Sequence, residues 1–113
     1  MDDAFSWVKG NGGICTEDDY PYTSGTTGQS GTCDQSSCTK NPNSAPSSYT
    51  DVTPNSVEAM ESAVAQQPVS IAIQANQPAF QFYSGGVLTG NCGQRLDHGV
   101  LNTGYGTSED GID

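Results

Sequence analysis

Four cysteines and one histidine are the residues best suited to chemistry: Cys15, Cys33, Cys38, Cys92 and His98. A thiolate is a strong nucleophile, and a nearby imidazole lowers a thiol's pKa and then carries its proton. Histidine is the side chain that ordinarily titrates near neutral pH, and His98 is the only one present. A nucleophile to partner it is harder to find. None of the four cysteines sits in a Gly/Ser-flanked context opening a helix, where the N-terminal dipole would activate it, so all four read as structural. An even count in a short polar chain points to disulfides and an oxidising compartment. Four cysteines allow three pairings, which spacing alone does not separate. The rival use is zinc, held by Cys33-x4-Cys38 with Cys15 or Cys92 and His98. No CxxC pair is present and the histidine stands alone, so no metal and no other cofactor is expected.

These residues need elements to hold them. Residues 2–9 read as a short helix: Asp2 and Asp3 suit its positive end, Ala4, Phe5 and Val8 fall at helical spacing, and Gly10, Gly12 and Gly13 stop it. Two turns are not stable alone, so this helix is expected to be the tail of a longer one. Residues 15–22 hold two tyrosines around Pro21 and read as extended or turn-like. Residues 23–48 have almost no apolar side chain and read as a loop, with Cys33 and Cys38 expected to pin it. Tyr49 to Thr53 is a candidate strand. Asn55 with Glu58 resembles a capping box, and Val57, Met60 and Val64 form the apolar stripe of a helix that Pro68 ends.

Val69, Ile71, Ile73 and Ala75 alternate with smaller or polar residues, the pattern of a half-buried strand. Phe80, Phe82 and Tyr83 are expected in a core or an interface. Ser84 to Gly86 turns the chain, and Val87 to Thr89 is a possible short strand. His98 to Tyr105 alternates again and reads as a strand, followed by a polar turn to Asp113. No element returns beside that last strand, so it is expected to lack its partner, and both ends of the chain look cut.

Composition sets the class. Only 33% of the 113 residues are hydrophobic, and thirteen acids face three bases (Lys9, Lys40, Arg95), a formal net charge of −10. A nucleic-acid binder needs clustered cations to displace counterions, so no nucleic acid is expected. The same balance excludes attraction to anionic lipid, and no apolar stretch approaches the ~20 residues of a membrane span. The acidic, lysine-poor surface fits a secreted protein, although Met-Asp-Asp-Ala is acidic where a signal peptide would be basic.

Four ordered runs then carry a resemblance. Asn91-Cys-Gly-Gln-Arg-Leu-Asp-His-Gly-Val-Leu-Asn-Thr-Gly-Tyr-Gly106 resembles the segment around the catalytic histidine of papain-like cysteine proteases. Gln67-Pro-Val-Ser-Ile-Ala-Ile-Gln-Ala75 is similar to their Gln-Pro-Val-Ser-Val segment. Phe80-Gln-Phe-Tyr-Ser-Gly-Gly-Val-Leu-Thr-Gly90 resembles their Phe-x-x-Tyr-x-x-Gly-(Ile/Val) segment. Met1 to Phe5 and Asn11-Gly-Gly-Ile-Cys-Thr-Glu-Asp-Asp-Tyr-Pro-Tyr22 resemble the stretch after their Cys-Asn-Gly-Gly motif. The flavour is cathepsin L-like, and the runs cover nearly all of the chain except 23–48.

The resemblance implies an α+β, partial papain-like fold. Residues 1–22 would end the helical left domain, 23–48 would form an irregular disulfide-pinned loop, and 49–113 would belong to the β-rich right domain. It implies a central fragment of a cysteine endopeptidase, with Met1 an internal methionine. The nucleophilic Cys and the oxyanion Gln would lie upstream, and the imidazole-orienting Asn downstream. The chain alone is therefore expected to be inactive. His98 would be the catalytic base and acid. Leu96, Ala72 and Met1 would line the substrate-binding pocket for the second residue, an apolar one, and Asp97 would border it without orienting the imidazole. Read without the resemblance, those three are ordinary packing and Asp97 an exposed acid. Cys33 and Cys92 match family cysteines whose partners lie outside these residues, which leaves Cys15 and Cys38 to pair. Partners would be peptide or protein substrates, cystatin-like inhibitors and a propeptide, the intact enzyme would be a monomer, and its place secreted or lysosomal/vacuolar. The alternative is a non-catalytic secreted homologue acting as a binding module or inhibitor decoy.

Overall fold

A computed structural model describes residues 1–113. The chain divides into two compact units, Met1–Thr50 and Asp51–Asp113.

The first unit opens with α1 (Asp2–Gly10), where the glycines were expected to end it. Asn11 caps the C-terminus through its backbone N–H and its side-chain Nδ2, both donating to Trp7 O. Phe5 stacks on Tyr49 with ring centroids 6.0 Å apart, and Lys40 Nζ lies 5.1 Å from the Trp7 ring centre. Gly13 is buried with φ +111°, and a Cβ there would stand 2.1 Å from Asn41 O. That space admits the bridge in which Asn41 N donates to Ile14 O at 2.9 Å.

Residues 23–48 are less irregular than their composition suggested. They hold a single helical turn, α2 (Ser24–Thr27), and a 3-10 turn over Pro42–Ser44 capped by Asn41 Oδ1. Cys38 bonds to Cys15, the pairing the resemblance implied, and pins the loop; Cys33, the other expected pin, is free and exposed. Tyr49 to Thr53 is not a strand; it has no partner chain to hydrogen-bond with.

The second unit contains α3 (Val57–Val64), β1 (Val69–Ile73), α4 (Pro78–Gln81) and β2 (His98–Asn102). The cap of α3 lies one residue later than expected. Asn55 takes a left-handed φ of 58° in the preceding turn, and Ser56 Oγ accepts from Ala59 N at 3.1 Å. β1 and β2 pair antiparallel, from Val69 opposite Asn102 to Ile73 opposite His98. The last strand thus has a partner after all, the strand 25 or so residues before it. Val87 to Thr89 forms no strand, and β2 stops at Asn102 rather than Tyr105. Phe82 and Tyr83 are exposed rather than core, and Phe80 is only partly covered. Just one hydrophobic side chain, Val64, is buried, and it keeps 8% of its surface exposed; the sole buried polar one is Gln74.

Candidate active site

Strand pairing brings the candidate residues together. His98 opens β2 opposite Ile73, and its side chain is exposed. The ladder continues one step past it, because Asp97 N donates to Ile73 O at 3.0 Å. Asp97 then turns its carboxylate back on β1, where Oδ1 accepts from Ala75 N at 2.6 Å. Gln81 Nε2, from the end of α4, donates to Ala75 O at 2.6 Å. The peptide groups beside Ala75 are therefore held on both sides, and the backbone entering His98 is latched to the end of β1. An exposed acid was the plain expectation for Asp97. Its hydrogen bond across 22 residues has no signature in spacing or composition.

Beside this latch lies an apolar depression of about 270 Å³, walled by Ala72, Phe80, Leu88, Cys92 and Leu96, with Ile73, Gln74 and Gly93 completing it. Of the residues expected to line a substrate pocket, Ala72 and Leu96 meet here. Met1 belongs to the first unit, where it is exposed as the N-cap of α1. Free Cys92 is exposed, and its thiol donates to Gly90 O at 3.3 Å. A second depression of about 320 Å³ lies between α3 and the chain leaving β2, lined by Val57, Met60, Val64 and Tyr105 among others.

The arrangement presents an exposed imidazole two residues after Leu96 of the apolar pocket, on a strand end held to β1 by two hydrogen bonds through Asp97. It holds no cluster of three or more His, Cys, Asp or Glu able to bind a metal ion. No helix is long and apolar enough to cross a membrane.

The profile described as "Papain family cysteine protease" matches residues 1–112. "Cysteine proteinase EP-B 1" of Hordeum vulgare is 47% identical over 98% of the chain, which spans 29% of that relative. Among solved structures, the Amb a 11 cysteine protease, a ragweed pollen allergen in its proform, superposes with a TM-score of 0.73 at 38% identity, covering 98% of this chain and 29% of that one. The bromelain protease of Ananas comosus, in complex with an inhibitor, gives 0.66 at 34% identity, covering 97% of this chain and 48% of that one. The chain thus spans less than a third of the curated relative and less than half of either solved structure. Its helices and two-stranded sheet are a partial papain-like α+β fold. Match, identity and fold agree, and the chain belongs to the papain family of cysteine proteases.

Proposed function

We propose that these residues serve a cysteine endopeptidase in which His98 is the catalytic base and acid. The carrying observation is the seat of His98 at the head of β2, with Asp97 latched to Ala75 N and the apolar pocket alongside. In the reaction, a thiolate from a segment outside these 113 residues attacks the peptide carbonyl carbon. The imidazolium of His98 donates a proton to the leaving amine as the C–N bond breaks. His98 then takes a proton from water as it attacks the thioester; the C–S bond breaks, the acid product departs, and the thiolate and imidazolium are restored. Oxyanion stabilisation and an Asn to orient the imidazole would likewise come from outside.

Ala72 and Leu96 would receive an apolar side chain of the substrate, since an apolar wall gives a charged group no hydrogen bonds to replace its water. Asp97 is proposed as a border of the site. Cys33 and Cys92, free here, would pair with cysteines elsewhere in the longer enzyme. The disulfide between Cys15 and Cys38 supports an oxidising compartment, secreted or vacuolar. A propeptide and protein inhibitors are proposed partners, supported by relatives solved as a proform and as an inhibitor complex.

The test is a graft. The 113 residues replace the matching segment of the barley proteinase, and hydrolysis of a fluorogenic peptide with an apolar second residue is measured. The graft should retain activity, and His98→Ala should lower kcat by at least about 100-fold. Retained turnover in His98→Ala would remove the assignment. The 113 residues alone should not turn over peptide; turnover with covalent labelling of Cys33 or Cys92 would place the nucleophile inside the chain.

A further inference from the structure

Gln74 is the one buried polar side chain of the molecule, 8% exposed at the end of β1. Its amide is used at both ends. Oε1 accepts from Arg95 N at 2.7 Å, and Nε2 donates to Asn76 Oδ1 at 2.7 Å. Gly93 packs directly on this amide: a Cβ there would lie 2.2 Å from Gln74 Oε1 and 2.9 Å from Gln77 Nε2, and its φ of +70° suits glycine.

The segment from Asn91 to Leu96 supplies one wall of the apolar pocket through Cys92, Gly93 and Leu96. Its other hydrogen bonds are local: Cys92 to Gly90 O and Gly93 N to Asn91 Oδ1. Neither reaches β1. The pairing of the strands begins only at Asp97 and His98. Upstream of that point, the Gln74–Arg95 bond is the single hydrogen bond that ties the segment to the chain running on from β1, the strand that brings Ala72 to the same pocket. Arg95 immediately precedes Leu96, so fixing its amide fixes the Leu96 backbone. Removing the acceptor would leave a peptide N–H facing a part-buried apolar surface, which favours movement of the segment toward water.

We infer that Gln74 is a positioning residue whose side-chain amide sets the separation of the Ala72 and Leu96 walls, and with it the size of apolar side chain the peptidase accepts. The inference deepens the proposed reading of that pocket and rests on it. Gln74 touches no reacting atom; it acts through the Arg95 peptide.

The experiment uses the grafted barley proteinase and peptides that differ only in their second residue, from Val through Leu to Phe. Gln74→Leu keeps the side chain's bulk and loses both hydrogen bonds. It should change the Phe-to-Val ratio of kcat/KM by at least about fivefold, chiefly through KM, since pocket fit for one extra group is worth about tenfold or more. Gln74→Glu keeps an acceptor for Arg95 N, and Asn76 can turn its amide to donate, so this variant should restore the ratio to within about twofold. Leu96→Ala tests the pocket itself and should also move the ratio. If Leu96→Ala shifts the profile and Gln74→Leu lowers all substrates equally or leaves them unchanged, Gln74 has no positioning role. If neither variant shifts the profile, the pocket reading falls and this inference falls with it.

Discussion

Heating the 113 residues alone should produce no cooperative unfolding transition. The chain exposes 8890 Å² and has a mass of 11.7 kDa. A compact monomer of that mass exposes about 5,900 Å². Even two separate compact bodies of half the mass would expose only about 7,100 Å² together. The excess over this more lenient reference is about 1,800 Å², more than half of it apolar by the usual surface composition. At about 25 cal/mol per Å², leaving that apolar area wet forgoes roughly 25 kcal/mol, which exceeds the ~5–15 kcal/mol net stability of an ordinary domain. The disulfide restricts the unfolded chain by about 3 kcal/mol for a loop of this length and does not close the gap. The exposed residues responsible are specific: Phe82 at 84%, Val57 at 74%, Leu96 at 64% and Tyr105 at 61%. The assay is differential scanning calorimetry with an apolar dye control. A two-state domain of this length would absorb about 80 kcal/mol near its midpoint; less than half of that, spread over a broad range, is expected, with dye binding before heating. A single sharp, reversible peak with equal calorimetric and van't Hoff enthalpies would refute the reasoning.

Three further outcomes are expected. In the grafted enzyme, Asp97→Ala removes the acceptor for Ala75 N and should lower kcat about tenfold, whereas Asp97→Asn keeps an oxygen there and should stay within about threefold; equal losses would show that charge, not the latch, matters. Gly13→Ala drives a methyl onto Asn41 O at positive φ and should lower the graft's thermal midpoint by at least about 5 °C, while Gly10→Ala, in open space on a helix, should not lower it. The carboxyl of Asp34 is held below the ordinary aspartate value of 3.8, first by the Ser36 hydroxyl and then by the Ser36 N–H. A lowered folded pKa means the turn is favoured above 3.8 and loosens as pH falls through the lower folded value. The Ser36 amide resonance should therefore titrate below 3.8 and become flat in Asp34→Asn; a midpoint at or above 3.8 would contradict the bond.

Much of the fold was legible because periodicity reports burial. The alternation of Val69, Ile71 and Ile73, and that of His98 to Asn102, placed both strands, and Ala4, Phe5 and Val8 placed α1. Failures came where a partner decides. Tyr49 to Thr53 and Val87 to Thr89 have strand-forming residues, yet nothing offers them a ladder, and β propensity is weak without one. Asn55 and Ser56 are both good caps, and only the left-handed backbone at Asn55 selects Ser56. Helix α4 carried a usable signal, Pro78 at its first position, which the aromatic run after it obscured. His98, Leu96 and Ala72 were reachable through motif resemblance. Gln74 and the Asp97 latch were not, because a side chain accepting from a backbone N–H 21 or 22 residues away leaves no pattern in neighbouring types.

The tie between Cys15 and Cys38 has one more consequence. It closes a ring of exposed chain, 23 residues from one sulfur to the other along the sequence, and the Ile14–Asn41 bridge shuts the same ring just outside it. Within the ring only α2 has regular structure, so it is the stretch most open to a peptidase. A nick there would not release a fragment. Both new ends would stay covalently joined, the clipped molecule would migrate as one band without reductant and as two with it, and Ile14 would keep its bridge to Asn41. That ring lets the molecule be clipped without coming apart.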